Sequence, residues 1–138
     1  MTLPKEVESI PGSQELYDWF GYWPDFHDAE VLKLHLNLGA RSTLVIHTWE
    51  MTNQVNTGGF YELIKHVIVE FVLGGVTSLN LQNPWEHSIL FDLGVEKTEA
   101  GFRLDLSSSY RLSGTIEAKE ISLRITPGKP AAEVAVSS

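Results

Sequence analysis

Within ten residues, Tyr22-Trp23-Pro24-Asp25-Phe26-His27-Asp28-Ala29-Glu30-Val31, the chain places three carboxylates, one imidazole and three aromatic rings. Three kinds of chemistry could use such a set. Imidazole and carboxylate oxygens suit several divalent metal ions. In an extended segment, however, Asp28 and Glu30 share a face while Ala29 points away. A metal centre would therefore need His35, His47, His66 or His87 to converge on the block, and nothing in their spacing requires it. No metal ligand and no cofactor are assigned.

General acid–base catalysis by His27 with Asp28 or Glu30 is chemically reasonable, because a carboxylate orients an imidazole and raises its pKa. The partner set is missing. The chain has no cysteine, no serine in a nucleophile-elbow context and no phosphate-cradling glycine loop, and Gly58-Gly59 and Gly74-Gly75 are isolated pairs. The plainer reading is that His27 and Asp28 bond exposed backbone groups where a loop enters a strand, a common use of short polar side chains. The third use is recognition, since Trp and Tyr anchor interfaces. Trp19 and Phe20 are assigned to the core, whereas Tyr22 and Trp23 beside Pro24 are better placed for exposure. The candidate binding residues are Trp23, Asp25, Phe26, His27, Asp28 and Glu30, with Asp18 and Glu15 just upstream. No catalytic residue is assigned.

The elements around this block follow from periodicity. Ser13 is placed to cap a helix from Gln14, with Leu16, Trp19 and Phe20 near helical spacing and Gly21 and Pro24 ending it. From Glu30 the period becomes two, with Leu32, Leu34, Leu36 and Leu38 on one face. A three-residue turn at Gly39-Ala40-Arg41 then pairs Leu38 with Ser42, Leu36 with Leu44 and Leu34 with Ile46. That register sets His47 opposite Lys33, a neighbour of like charge that would keep the imidazole neutral. Met51 to Gly59 reads as a loop. Phe60 to Leu73 mixes helical and strand spacing, and its β-branched cluster favours a strand from about Lys65. Gly74-Gly75 ends it, and Val76 to Gln82 returns as a short strand before Asn83-Pro84-Trp85. Ile89, Phe91, Leu93 and Val95 alternate toward a turn at Thr98 to Gly101, and Phe102, Leu104 and Leu106 alternate back. Two further strands, Thr115 to Ala118 and Ile121 to Ile125, are separated by Lys119-Glu120. The expected fold is α+β: one N-terminal helix packed on a predominantly antiparallel sheet of seven or eight strands built from hairpins. Residues 1–138 form a single domain in this reading, with 131–138 a mobile tail.

Composition narrows the function classes. At 138 residues, 43% hydrophobic and 20% charged, the chain is an ordinary globular length and composition. Its apolar runs are too short for a bilayer span, and the N-terminus lacks the pattern of a cleaved signal, so a cytoplasmic, membrane-free protein is expected. The net charge of −8 is unevenly spread: residues 1–30 hold seven acids against Lys5, a net −6, while the remainder holds eleven acids against nine bases. An acidic end repels phosphate and argues against nucleic acid, whereas it attracts a basic protein and speeds the encounter.

Ile10-Pro11-Gly12 and the run Trp19-Phe20-Gly21-Tyr22-Trp23-Pro24-Asp25-Phe26-His27-Asp28-Ala29-Glu30-Val31 resemble the Immunity protein 50 family of bacterial polymorphic toxin systems. That family is marked by a tryptophan-proline-x-phenylalanine-histidine-aspartate-alanine-glutamate-valine block, which also resembles related uncharacterised bacterial domains. The specific likeness covers residues 10–31, and the later likeness lies in strand pattern with Tyr110, Gly114, Ile116 and a Thr126-Pro127 ending. The resemblance implies a small cytoplasmic protein that binds and neutralises a cognate toxin without chemistry of its own. An acidic end would complement a toxin with a basic surface. Two other readings accompany it: a hydrolase-like or metal-binding enzyme centred on His27, Asp28 and Glu30, and a structural or oligomerising domain, for example a homodimer.

Overall fold

A computed structural model describes residues 3–37, 39–55, 57–59, 61–82, 88–110 and 112–130. Among these, one helix, α1 (Ser13–Phe20), precedes six strands: β1 (Glu30–His35), β2 (Ser42–Val55), β3 (Tyr61–Gln82), β4 (Ile89–Thr98), β5 (Gly101–Tyr110) and β6 (Ser113–Pro127). All strand pairs are antiparallel, and the sheet closes on itself as a barrel in the order β1-β2-β3-β6-β5-β4. The α+β class with dominant antiparallel sheet therefore holds. The expected count of seven or eight strands is met in part, six being formed among the described residues, and these close into a barrel. His87, the Asn83-Pro84-Trp85 interruption and the 131–138 tail fall outside the described residues.

The count falls because two strands absorb what reads as four. Gly74-Gly75 does not end β3: Gly75 adopts φ +64, a left-handed conformation that costs glycine little, and the ladder to β6 continues from Gly74↔Glu120 to Val76↔Ala118. Lys119-Glu120 accordingly sits in the middle of β6 and separates nothing. Together the two strands run from Val67↔Pro127 to Gln82↔Ser113, the longest ladder in the molecule. β3 also starts at Tyr61, before the expected Lys65, and β2 runs through the expected loop as far as Val55.

The register of β1 on β2 is a second correction. Leu34 pairs with Leu44, Val31 with Ile46 and Glu30 with His47, so Lys33 faces Val45 and not His47. The connection is longer than three residues: β1 stops at His35, and the backbone N–H of Asn37 donates to Ser42 Oγ (2.9 Å), which draws out the turn. Leu38 lies outside the described residues. A bulge between Val31 and Lys33 then resets the alternation, so Val31 and Leu34 both reach the core and Leu36 is left exposed. β4 uses the same device. Its bulge between Leu90 and Asp92 puts Leu90 and Leu93 in the core and turns Phe91 out to solvent.

α1 begins one residue earlier than expected. Gly12 precedes it, and Ser13 donates its hydroxyl back to the Ile10 carbonyl (2.7 Å), so Ser13 is not a side-chain cap. Gly12 could be nothing else: at φ +91, a Cβ there would meet the Leu123 carbonyl oxygen at 2.1 Å. This close approach has a purpose. β5 pairs with β6 only as far as Phe102↔Ala118, which leaves the β6 edge beyond it uncovered, and the Leu123 N–H donates to the Pro11 carbonyl (2.8 Å) on that edge. The helix adds Leu16 and Phe20 to a core shared with Phe26, Leu44, Ile46, Phe71, Leu90 and Leu104. Gly21 closes it through a bond to Tyr17, and Lys65 Nζ donates to the Phe20 carbonyl (3.2 Å) at its C-terminal end.

Candidate functional site

The conspicuous block forms the joint of the barrel. β1 and β4 share one paired rung, Glu30↔Ile89, and the backbone around it lengthens the seam. Asp28 N–H donates to Leu90 O, Leu90 N–H to Ala29 O, Val31 N–H to Ser88 O and Leu93 N–H to Asp25 O, at 2.8 to 3.1 Å. To follow this path the chain holds Phe26 at φ 63 and Asp28 at φ 65, left-handed values unusual for residues with a side chain. Asp25 Oδ1 supports the bend by accepting the His27 N–H (2.9 Å). Pro24, Phe26 and Ala29 are buried, and Phe26 stacks edge-on against Phe71 (5.7 Å) and Trp23 (6.0 Å).

The polar members of the block separate. His27 is exposed and donates from Nδ1 to the carbonyl of Phe91 (2.9 Å), with its ring edge-on to Phe91. That bond is the main cause of a pKa raised above the usual histidine value; slight desolvation opposes it, and Asp28, Asp25 and Asp92 add to it. Asp28 lies 3.6 Å from His27 Nε2. Glu30 points elsewhere, to His47. The expected trio of His27, Asp28 and Glu30 is thus not one site, and among the described residues no group of three or more histidines and carboxylates is arranged to hold a metal ion.

Glu30 instead opens a second constellation that the sequence register concealed. Its Oε1 accepts from His47 Nδ1 (2.8 Å), and His47 Nε2 lies 3.0 Å from His66 Nδ1 on β3. The two imidazoles are stacked at 5.2 Å, and Trp49 lies against both, 4.8 Å from His47 and 6.1 Å from His66. His47 faces away from the core, being the cross-strand partner of Glu30, yet it is only 5% exposed because these rings cover it. Desolvation lowers the pKa of His66, with positive charge on His47 and Lys129 acting the same way and a backbone bond near Leu63 opposing.

Proton positions in this row follow from the donors. A carboxylate only accepts, so His47 Nδ1 carries hydrogen. When His47 is neutral its Nε2 must accept from His66 Nδ1–H, which leaves a lone pair on His66 Nε2. The row is a short hydrogen-bonded chain from a half-exposed carboxylate to a half-buried imidazole. Beside it, Tyr22 donates to Glu50 Oε1 (2.9 Å), and Lys65 Nζ is 3.9 Å from the same oxygen. Partial burial, then the bond to Glu50 and its charge, push the Tyr22 hydroxyl up to about 12, too high for a ready nucleophile.

The remaining candidates are distributed along the acidic end. Glu15 and Asp18 are exposed on α1, and Asp18 accepts from Gln14. Trp23 and Asp25 line a groove of about 280 Å³ with Glu6, Pro24 and Val95. Trp19 is half-buried and donates its indole N–H to the Lys65 carbonyl (2.9 Å). The signal for the row was present as two polar-face histidines on neighbouring strands; what hid its Glu30 end was the assumed turn length. Among the described residues no helix is long and apolar enough to cross a membrane. Compared with known proteins, the chain matches no family model, no curated protein and no solved structure. The family resemblance therefore rests on the residues of the chain itself, chiefly 10–31.

Proposed function

We propose that this protein is a non-catalytic binding protein that neutralises a cognate bacterial toxin in the cytoplasm, as the resemblance of residues 10–31 to the Immunity protein 50 family implies. The observation that carries the reading is the groove in which the carboxylates of Glu6 and Asp25 flank the apolar surfaces of Trp23, Pro24 and Val95. Glu8, Glu15 and Asp18 are exposed on neighbouring segments, and none of these five carboxylates is in an ion pair among the described residues. A lysine or arginine of a partner finds there both a counter-charge and an apolar wall for its stem. Phe26, being buried, contributes support and no contact surface.

The alternative of an enzyme centred on His27, Asp28 and Glu30 draws less support, since His27 turns to Phe91 and Glu30 to His47. The test is association with the toxin encoded beside this protein, followed by stopped-flow mixing over a range of salt. Glu15→Lys combined with Asp18→Lys is expected to slow association by about tenfold and flatten its salt dependence. Unchanged rates would remove the electrostatic basis of the reading.

A further inference from the structure

A cleft of about 540 Å³ has a different chemistry from the acidic groove. Arg41 from the β1–β2 connection, Lys97 from the end of β4 and Lys119 from the middle of β6 all line it, with Glu120 as the single carboxylate. Phe102 and Ile121 supply apolar wall. An adjoining depression of about 430 Å³ shares Arg41, Lys119 and Glu120, so the cationic lining continues beyond one hollow.

This grouping runs against the composition. Ten bases face eighteen acids in the chain, and elsewhere Lys65, Arg103 and Arg124 are engaged by Glu50, by Glu96 and Asp105, and by Glu70. Arg41, Lys97 and Lys119 are in no ion pair among the described residues. Lys119 is also placed by the backbone: its stem lies across Gly75, where any Cβ would come within 3.1 Å of Lys119 Cδ. Three cations round one concave surface repel each other, and an anion seated between them relieves that cost. An arginine fork with two ammonium groups matches the oxygens of a phosphoryl group, and the volume is that of a small-molecule site.

We propose that this cleft binds a phosphate monoester with a flat apolar body, the phosphoryl group held by Arg41, Lys97 and Lys119 and the body lying on Phe102 and Ile121. The site is separate from the acidic groove, so it stands or falls independently of toxin binding. The test is calorimetric titration of the full chain with adenosine monophosphate, inorganic phosphate and adenosine in turn. Adenosine monophosphate is expected to bind, with each of the other two weaker by about tenfold or more. Lys97→Glu with Lys119→Glu, both exposed positions, is expected to weaken binding by about tenfold or more, while Lys33→Glu, the same kind of charge change outside the cleft, leaves it unchanged. No binding of the nucleotide at millimolar concentration overturns the proposal. So does an equal loss in Lys33→Glu, which would mean bulk charge alone. Inorganic phosphate binding as tightly as the nucleotide would overturn the part assigned to Phe102 and Ile121.

Discussion

The barrel joint and the row of rings on β2 and β3 both contain Glu30, but they are built in opposite ways. At the joint, main-chain bonds between residues 25–31 and 88–93 hold the structure, and the polar side chains His27 and Asp28 stand largely in solvent. In the row, side chain bonds side chain, from Glu30 to His47 to His66, and the central imidazole is covered. The difference teaches that conspicuous residues in a sequence can serve the path of the backbone, whereas quiet ones carry side-chain chemistry. Asp25 and Phe26 matter at the joint for a bend and a buried ring; His47 matters for two nitrogens.

The comparison breaks most sharply at Phe26. Phe26→Ala removes a fully buried ring packed on Phe71 and Trp23, and is expected to cost about 3–5 kcal/mol in urea unfolding, a large part of a small domain's stability. A loss below about 1 kcal/mol would mean that the joint is not keyed by this residue. Next comes His47→Ala, expected to cost about 1–3 kcal/mol because it strips Glu30 of its partner and removes the ring bonded to His66 Nδ1. The smallest effect is in pH, and the two regions carry opposite signs. His66 is lowered from 6.5, so as pH falls through that value the unfolded chain takes the proton first and stability drops, the loss being complete below the folded value. His27 is raised from 6.5, so its contribution is fully present below that pH and is lost as pH climbs through the folded value. Melting temperatures across this range should therefore lose their acid-side fall in His66→Ala and their alkaline-side fall in His27→Ala; a His27→Ala variant that alone removed the acid-side fall would exchange the two assignments.

Much of this was legible in the chain. Alternation in Phe102, Leu104 and Leu106 marked β5, and helical spacing of Leu16 and Phe20 with Gly21 marked α1. The block at 22–31 reads as a loop-to-strand junction and forms one, and His27 bonds backbone there. What failed was counting across irregularities. A bulge at Leu32 moves the inward face by one residue, and a longer turn moves His47 from Lys33 to Glu30, so an error of a few residues in register concealed the Glu30–His47 bond; the contact with His66 depends on the separate register of β2 on β3. Gly74-Gly75 has the composition of a break, but a long partner strand supplies hydrogen bonds on through it, and tertiary pairing overrides the local signal. Closure was invisible because it joins backbone at 25–31 to backbone at 88–93, more than fifty residues apart, for which no local pattern exists.

That short seam has a further meaning. A ring of strands fastened by the few backbone bonds between residues 25–31 and 88–93 is a clasp, and the shorter seam is the one thermal breathing parts before the long β3–β6 ladder. Each parting bares two strand edges, the surfaces on which neighbouring molecules add and grow into aggregates. The backbone bends of residues 25–31 are in this sense a latch, and the chain's ability to stay a separate molecule depends on how rarely it lifts.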